Sequence, residues 1–237
     1  MRTIGLIGGM SWESTAVYYR RINEAVRHRL GGLHSADILM HSLDFDRVVR
    51  LQKAEAWNEA GALLGGTAAR LEVAGAACIL ICTNTMHLVA DAVQRETRVP
   101  VLNIVDETGR ALCDAGCRRP LLLATRYTME HGFYAERMMR AGVEVMVPDE
   151  AGRSLVHRVI FEELCRGIVS DASRQQLMGV VAQGLADGAD GVILGCTEIC
   201  LSLDPDRLPC PGFDSTAIHA AAAVDFALRS PSLRDAA

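Results

Sequence analysis

Lysine is almost absent from this chain of 237 residues. The sequence contains 24 basic residues, and Lys53 is the only lysine among them. Enzymes that use pyridoxal phosphate hold it as a Schiff base on a lysine. The composition therefore argues against that cofactor.

Long apolar runs, an excess of positive charge and paired cysteine motifs are missing as well. No apolar run reaches the ~18 residues that span a bilayer, and the net charge of −5 disfavours nucleic acid or an anionic membrane as a partner. The eight cysteines form no C-x-x-C pair, which leaves zinc and disulfides without support. The first residues form an apolar strand at once, so we expect no signal peptide and a cytoplasmic location.

Two apolar stretches organise the rest of the sequence. One is Cys78-Ile79-Leu80-Ile81-Cys82, followed by Thr-Asn-Thr, and the other is Gly191-Val192-Ile193-Leu194-Gly195, followed by Cys-Thr-Glu. Runs of this kind are typical of strands buried on both faces, as in a parallel sheet. With one constant offset, the following residues coincide: Gly75 with Gly188, Thr83 with Cys196, and Asn84 with Thr197.

Strands and helices alternate in both halves of the chain, which predicts an internally duplicated α/β protein. We expect two pseudo-symmetric domains, each a parallel sheet in α/β/α layers, with the active site in the cleft between them. The first domain should span residues 1–105 and be completed by the C-terminal helix, 210–237. The second should span residues 106–209. Because ligands of open parallel sheets bind beyond the carboxyl ends of strands, Thr83 and Cys196 are the first candidates for site residues.

The turn after the first strand does not match a dinucleotide-binding motif. That motif needs glycines at positions 8, 10 and 13, and Met10 and Glu13 stand at two of them. One alternative is that Gly8 and Gly9 only permit a tight turn. The other is that the helix beginning at Ser11 binds a carboxylate through its free N–H groups.

The polar residues after the two buried strands have two readings. Asn84, Thr85 and Thr197 can be ordinary helix caps, or they can hold a substrate carboxylate together with free N–H groups. A cysteine at a helix start, such as Cys196, should have a lowered thiol pKa, as a base or nucleophile requires. The symmetric placement of the two sets favours the functional reading.

Three motifs resemble one known family. GLIGGMSWEST near the start, CTNTMH at 82–87 and LGCTE at 194–198 are similar to the aspartate/glutamate racemase family, and the resemblance covers nearly the whole chain. It implies a two-domain α/β fold and cofactor-independent racemisation of a small amino acid by two proton-transfer groups on opposite faces of the α-carbon. It also implies that the chain can form a homodimer.

The sequence departs from that family at the first proton-transfer position. The usual Cys-Asn-Thr is Thr83-Asn84-Thr85 here. The role passes to Thr83 rather than to its neighbour Cys82, because adjacent strand side chains point to opposite faces. The second cysteine matches at Cys196. A hydroxyl is the poorer base: a pKa higher by roughly five units makes ionisation costlier by about 7 kcal/mol.

The resemblance nominates further residues as substrate-binding. Met10 lies in the first turn, and Thr125 is the expected counterpart of Gly8 in the second half. Cys165 stands where some members carry a lysine that binds the substrate's side-chain carboxylate. The remaining candidates are Gln52, with Arg47 and Arg50 as rivals, and Asn84, Thr85 and Thr197.

Three functions fit these residues. The first is a racemase of aspartate or glutamate. The second is a superfamily member that acts on another activated carbon, as in hydantoin racemisation. The third is an amino-acid-binding homologue with weakened catalysis, which the hydroxyl of Thr83 keeps open.

The scarcity of lysine gives a first testable prediction. Replacing Lys53 with arginine should leave activity essentially intact, because no step needs a Schiff base. A steady-state assay and an absorbance spectrum of the purified protein check this together. Lost turnover combined with a pyridoxal absorbance band in the native protein would contradict it.

Overall fold

The computed structural model describes residues 1–229, which form two compact units. The first unit contains Met1–Cys82, Val89–Leu102 and the described residues from Ala220 onward. The second contains Thr83–Leu88 and Asn103–His219. The predicted boundaries assign segments 83–88, 103–105 and 210–219 to the first domain, whereas here they belong to the second unit. Residues 230–237 of the predicted first domain lie outside the described part of the chain.

The first unit is built on a parallel sheet of four strands. They are β1 (Ile4–Gly8), β2 (Ile38–Ser42), β3 (Cys78–Ile81) and β4 (Val101–Leu102). Their order is β2-β1-β3-β4. Every residue of β1 and β3 is buried, which explains why both strands read as continuous apolar runs in the sequence.

Four helices pack against this sheet. They are α1 (Trp12–Leu30), α2 (Phe45–Lys53), α3 (Trp57–Val73) and α4 (Ala90–Arg95). The Ser11 side chain caps α1 by accepting a hydrogen bond from the Ser14 N–H. The stripe Tyr18, Ile22 and Val26 is fully buried, and it shares one apolar core with small residues of the last helix, Ala220, Ala223, Val224 and Ala227.

The second unit repeats the plan with three strands. They are β5 (Pro120–Leu123), β6 (Gly191–Leu194) and β7 (Gly212–Asp214), all parallel and in the order β5-β6-β7. Its helices are α5 (Ile104–Asp114), α6 (Arg126–Glu130), α7 (Phe133–Arg140), α8 (Glu150–Arg158), α9 (Asp171–Ala186) and the start of α10 (Ser215–Leu228). The predicted parallel α/β fold with two similar halves is thus confirmed.

The N–H donors of several backbone hydrogen bonds repeat between the halves with the offset found in the sequence. Gly75 and Gly188 both have positive φ, 107° and 97°. Three further pairs of equivalent N–H groups donate to equivalent carbonyls: Ala77 to Thr3 and Asp190 to Arg119, Ile79 to Pro100 and Val192 to Pro211, and Cys82 to Ile7 and Gly195 to Leu123. The duplication therefore extends to individual hydrogen bonds of the two central strands.

Two strand assignments differ from what the sequence suggests. Residues 143–147 look like a strand, yet only Met146 pairs with Leu121 beside β5. The short strand β7 has no apolar run of its own. It is a strand because it pairs with β6, beginning with the hydrogen bond from the Val192 N–H to the Pro211 carbonyl.

The register also corrects one predicted equivalence. Ile7 pairs with Ile81, and Leu123 pairs with Leu194. Because Ile81 and Leu194 are equivalent under the offset, the counterpart of Gly8 is Ala124, and Thr125 lies one residue further on.

Membrane-spanning helices and metal clusters are not found in the described range. Within residues 1–229, every helix is too short or too polar to cross a bilayer. Over the same range, no three His, Cys, Asp or Glu side chains are grouped so that they could hold a metal ion.

Gly75 provides a test of the repeated turn. A side chain there meets no atom within 4 Å, but the φ of 107° disfavours any L-residue. We expect Gly75→Ala to lower the free energy of unfolding by about 1–3 kcal/mol. The matched control is Gly66→Ala inside α3, where the new Cβ makes only an ordinary contact with Arg70 and should raise stability by about 0.5–1 kcal/mol. Urea unfolding measures both, and equal shifts for the two variants would refute the argument.

Candidate active site

Cys196 follows the central strand of the second unit. After β6 ends, Gly195 provides the close approach, because an added Cβ would lie 2.7 Å from Cδ1 of Leu122. The backbone at Cys196 is extended, and a 3-10 turn, Thr197–Leu201, begins at the next residue. The thiol therefore lies at the carboxyl end of a parallel strand and is 8% exposed.

The Cys196 thiol has a carboxylate as its hydrogen-bond partner. Sγ donates to Oε2 of Glu198 at 3.0 Å, and the same oxygen accepts a hydrogen bond from the Thr197 hydroxyl at 2.6 Å. Glu198 is itself buried, at 8% exposure. Two of the three residues in the Cys-Thr-Glu motif thus converge on the carboxylate of the third.

The expectation of a lowered thiol pKa at Cys196 is wrong. Burial raises the pKa of Cys196 well above its usual value, and the Glu198 carboxylate and the nearby Cys165 thiol raise it further. Only the backbone N–H of Glu198 acts in the opposite direction. The single N–H at this turn is outweighed by loss of water and by negative charge, so Cys196 rests as a neutral thiol.

Segment 83–88 carries Thr83, whose backbone is fixed by His87. The carbonyl of Thr83 lies 2.8 Å from Nδ1 of His87, and the Ile104 N–H donates to Nε2 at 3.2 Å. Because Nε2 accepts, the proton of the neutral ring sits on Nδ1 and is donated to Thr83. His87 therefore joins this segment to the start of α5.

The hydroxyl of Thr83 differs from the thiol of Cys196 in having no protein partner. Thr83 is half-buried, and its hydroxyl makes no hydrogen bond to residues 1–229. Cys82, the neighbouring thiol, belongs to the apolar core of the first unit, where burial raises its pKa. This contrast supports the choice of Thr83 over Cys82.

Asn84 is anchored through one end of its amide. Nδ2 donates to the Ser215 hydroxyl at 3.1 Å, and that hydroxyl donates to the Leu194 carbonyl at 2.9 Å. Since the only proton of Ser215 is used on Leu194, Nδ2 rather than Oδ1 must face Ser215. Oδ1 of Asn84 is then buried with no hydrogen-bond partner in the described chain, and it is an acceptor suited to an N–H group.

Thr85 and Thr125 meet in a triangle of hydroxyls that the sequence did not reveal. Their oxygens are 3.0 Å apart, and each lies 3.2 Å from the hydroxyl of Thr128. Three hydroxyls have three protons, so a closed ring uses all of them. A substrate carboxylate could receive one of these protons only after a hydroxyl rotates out of the ring.

The candidate substrate-binding residues of the first unit differ in how deeply they are buried. Gln52 and Val48 form the buried face of α2, with Gln52 at 5% exposure. Arg47 is exposed, and exposed Arg50 pairs with Asp46 at 2.9 Å. Met10 is buried at 4% exposure. The burial pattern therefore distinguishes Gln52 from its two rival arginines.

Cys165 comes close to Cys196 through an irregular stretch of helix. α8 continues as a π-helical turn, Val159–Glu163, and then a 3-10 turn, Leu164–Arg166. Such irregular turns often occur at functional sites. Cys165 packs against the apolar cluster that contains Cys196, and its thiol contributes to raising the pKa of Cys196.

Three residues of this region were not predicted as site residues. Thr128 and Ser215 are buried hydroxyls whose partners come from distant parts of the chain, so no local pattern marks them. Glu198 is different, because it belongs to a motif that the sequence analysis quoted. A buried carboxylate two residues after a candidate cysteine is a signal that could have identified it.

The bridge through His87 yields a stability prediction. His87→Leu leaves the Thr83 carbonyl and the buried Ile104 N–H without partners, and each loss costs about 1–3 kcal/mol. We expect a decrease of at least about 2 kcal/mol in the free energy of unfolding, measured with urea. His28→Leu on the exposed face of α1 is the control and should change stability by less than about 0.5 kcal/mol. Similar effects of the two substitutions would show that the bridge is unimportant.

Comparisons with known proteins point to one family. A model of the Asp/Glu/hydantoin racemase family matches residues 7–223. A proposed Asp/Glu racemase from Yersinia pestis is 48% identical, with 97% of this chain and 100% of that chain covered and a TM-score of 0.91. An aspartate racemase homologue from Pyrococcus horikoshii is 34% identical over the same shares, with a TM-score of 0.86.

A more distant relative is a broad-specificity amino-acid racemase from Bacillus subtilis, 22% identical, with 93% of this chain and 96% of the relative covered. The matched residues 7–223 include both buried strands and the polar residues that follow them. The chain therefore belongs to the Asp/Glu/hydantoin racemase family and is an isomerase.

Proposed function

We propose that this protein racemises an amino acid without a cofactor, with aspartate or glutamate as the first candidates. One observation carries the proposal. Equivalent ends of the two duplicated strands bear two side chains that can exchange a proton, the Thr83 hydroxyl and the Cys196 thiol. Inverting a stereocentre by proton transfer requires a donor on one face of the carbon and an acceptor on the other.

The resting states of the two groups suggest their roles. Cys196 holds its proton as a neutral thiol because its pKa is raised, so it starts as the donor. Thr83 has a hydroxyl that is open to a substrate or to a relaying water. The α-carbon is a very weak acid, and fixed donors must stabilise the carbanion that forms. We propose the backbone N–H groups at the start of the turn Thr197–Leu201 as donors of this kind, while the Thr197 hydroxyl could take part only by leaving Oε2 of Glu198.

Substrate binding is proposed for the remaining candidates. Oδ1 of Asn84 suits the substrate's ammonium group, because it is a buried acceptor without a partner. The hydroxyls of Thr85 and Thr125 would contact the carboxylate if their ring opens. Met10, Gln52 and Thr197 are proposed to line the substrate site, and Cys165 would contact the side chain of the substrate.

A neutral substrate is the second candidate, and Cys165 favours it. An uncharged thiol replaces the lysine that the family resemblance leads one to expect for a carboxylate side chain. A hydantoin-like ring also offers an N–H group to Asn84. We further propose a cytoplasmic location and a homodimer for the assembled protein, with no nucleic-acid partner.

Hydrogen exchange at the α-carbon tests the proposal. The protein is incubated in D2O with L-aspartate, L-glutamate or a hydantoin, and the Cα proton signal and the enantiomer ratio are followed. Exchange with inversion of aspartate or glutamate is the expected result. Exchange without inversion would show that protons are transferred on only one face of the α-carbon. No exchange with any of these compounds would overturn the proposed racemase function.

Variants of the two proton-transfer residues sharpen the test. Cys196→Ala and the isosteric Thr83→Val should each reduce kcat by at least about 100-fold, because each removes one acid–base group. Thr83→Cys should keep or raise the rate, since a thiol is the better base. Cys200→Ala, a half-buried cysteine of the same turn, is the matched control and should stay active. A folded Cys196→Ala variant with full activity would refute the assignment.

A further inference from the structure

Glu198 is a buried carboxylate that the mechanism above leaves without a role. Its Oε2 lies 3.0 Å from the sulfur of Cys196 and accepts a hydrogen bond from the thiol. Its own backbone N–H interacts with the same sulfur. One residue thus offers an acceptor for the thiol proton and a donor to the thiolate that remains.

We propose that Glu198 takes the proton of Cys196 whenever Cys196 acts as the base on the α-carbon. In this step the Sγ–H bond breaks and an Oε2–H bond forms, which leaves a thiolate beside a neutral carboxylic acid. The thiolate then removes the Cα proton of the enantiomer that faces it, and a new Sγ–H bond forms as the C–H bond breaks. The proposal rests on the proposed racemase function, in which Cys196 serves both directions.

The neighbouring carboxylate is a better proton acceptor than the solvent, because transfer to it leaves the net charge of the buried pair unchanged. Release of the thiol proton to water would leave a thiolate and a carboxylate 3.0 Å apart in a buried place. Like charges at this distance oppose ionisation, as does the loss of water. Transfer within the pair keeps a single negative charge in the same volume, so burial penalises the two states similarly.

The Thr197 hydroxyl influences the proton transfer between Cys196 and Glu198. It donates to Oε2 at 2.6 Å and so stabilises the ionised carboxylate before the transfer. After the transfer the same hydroxyl can rotate, because it has one proton and is not fixed by its own backbone. Glu198 is therefore a positioning residue that acts on the substrate through Cys196.

Replacement of the carboxylate distinguishes this role from a merely structural one. In Glu198→Gln the negative charge next to the thiol is lost, so the pKa of Cys196 falls and its alkylation by iodoacetamide becomes faster at a given pH. A base that exchanges its proton with solvent would then work as well or better. A base that depends on Glu198 would lose at least about 100-fold in kcat/KM, equally for both enantiomers, since the equilibrium constant of racemisation is one.

The experiment compares these two readouts in one set of variants. Cα–deuterium exchange gives the turnover, and mass spectrometry of the Cys196 peptide gives the alkylation rate against pH. Glu198→Asp should retain part of the turnover, and formate should partly restore turnover to Glu198→Ala by supplying a carboxylate in the vacated space. The matched control is Asp190→Asn, since Asp190 accepts a hydrogen bond from the Cys117 thiol at 2.8 Å before β6 begins. It should keep its turnover per folded molecule.

Faster alkylation together with lost turnover in Glu198→Gln supports the proposal. Turnover of Glu198→Gln at or above that of the wild type overturns it. If Glu198→Gln does not fold, folded Glu198→Ala decides, and the absence of any formate rescue overturns the proposal. A wild-type protein that exchanges no Cα proton would instead overturn the racemase function, so the two failures can be told apart.

Discussion

The parallel hydrogen bonding of the two central strands positions Thr83 and Cys196, the two candidate proton-transfer residues. Both strands are fully buried, and their backbone groups have no water to bind, so their pairing with neighbouring strands is obligatory. This pairing fixes where each strand ends. Thr83 and Cys196 each stand two residues beyond those ends, so their places follow from the register of the strands.

The duplicated halves use the same backbone bonds but different chemistry. The thiol of Cys196 hydrogen-bonds to a carboxylate that raises its pKa, whereas the hydroxyl of Thr83 is left open. A proton relay with two such groups is asymmetric even though the chain around it is symmetric. The neutral thiol has a nearby place for its proton, and the hydroxyl depends on the substrate or on water.

The sequence predicted much of the fold because buried parallel strands leave a clear signal. Gly75 and Gly188 mark the same turn in both halves, and the apolar runs after them have the length of a strand. The strand β7 and the single pairing of Met146 escaped prediction because neighbouring strands define them, not their own residues. The strand ends before Thr83 and Cys196 were predictable because the apolar runs stop there. The association of segment 83–88 with the second unit was not predictable, because it depends on residues elsewhere in the chain.

The site was predictable only in its residue types. The pKa of Cys196 was expected to fall because a helix start favours a thiolate. Local sequence alone predicts a lowered pKa for any cysteine that precedes a helical turn. Burial and Glu198 reverse the direction, and both depend on the folded environment. The hydroxyl ring likewise depends on the fold, because it joins Thr85 to Thr125 and Thr128 from a distant part of the chain.

The unpaired amide oxygen of Asn84 has a consequence for the choice of ligand. A buried acceptor without a donor carries a desolvation cost of about 1–3 kcal/mol in the empty protein. A molecule that brings an N–H group to this oxygen recovers that cost, and one that brings only carboxylates or hydroxyl acceptors adds repulsion to it. In the substrate-binding role that we propose for Asn84, this oxygen would select against dicarboxylic acids that lack nitrogen, before any contact with their side chains is made.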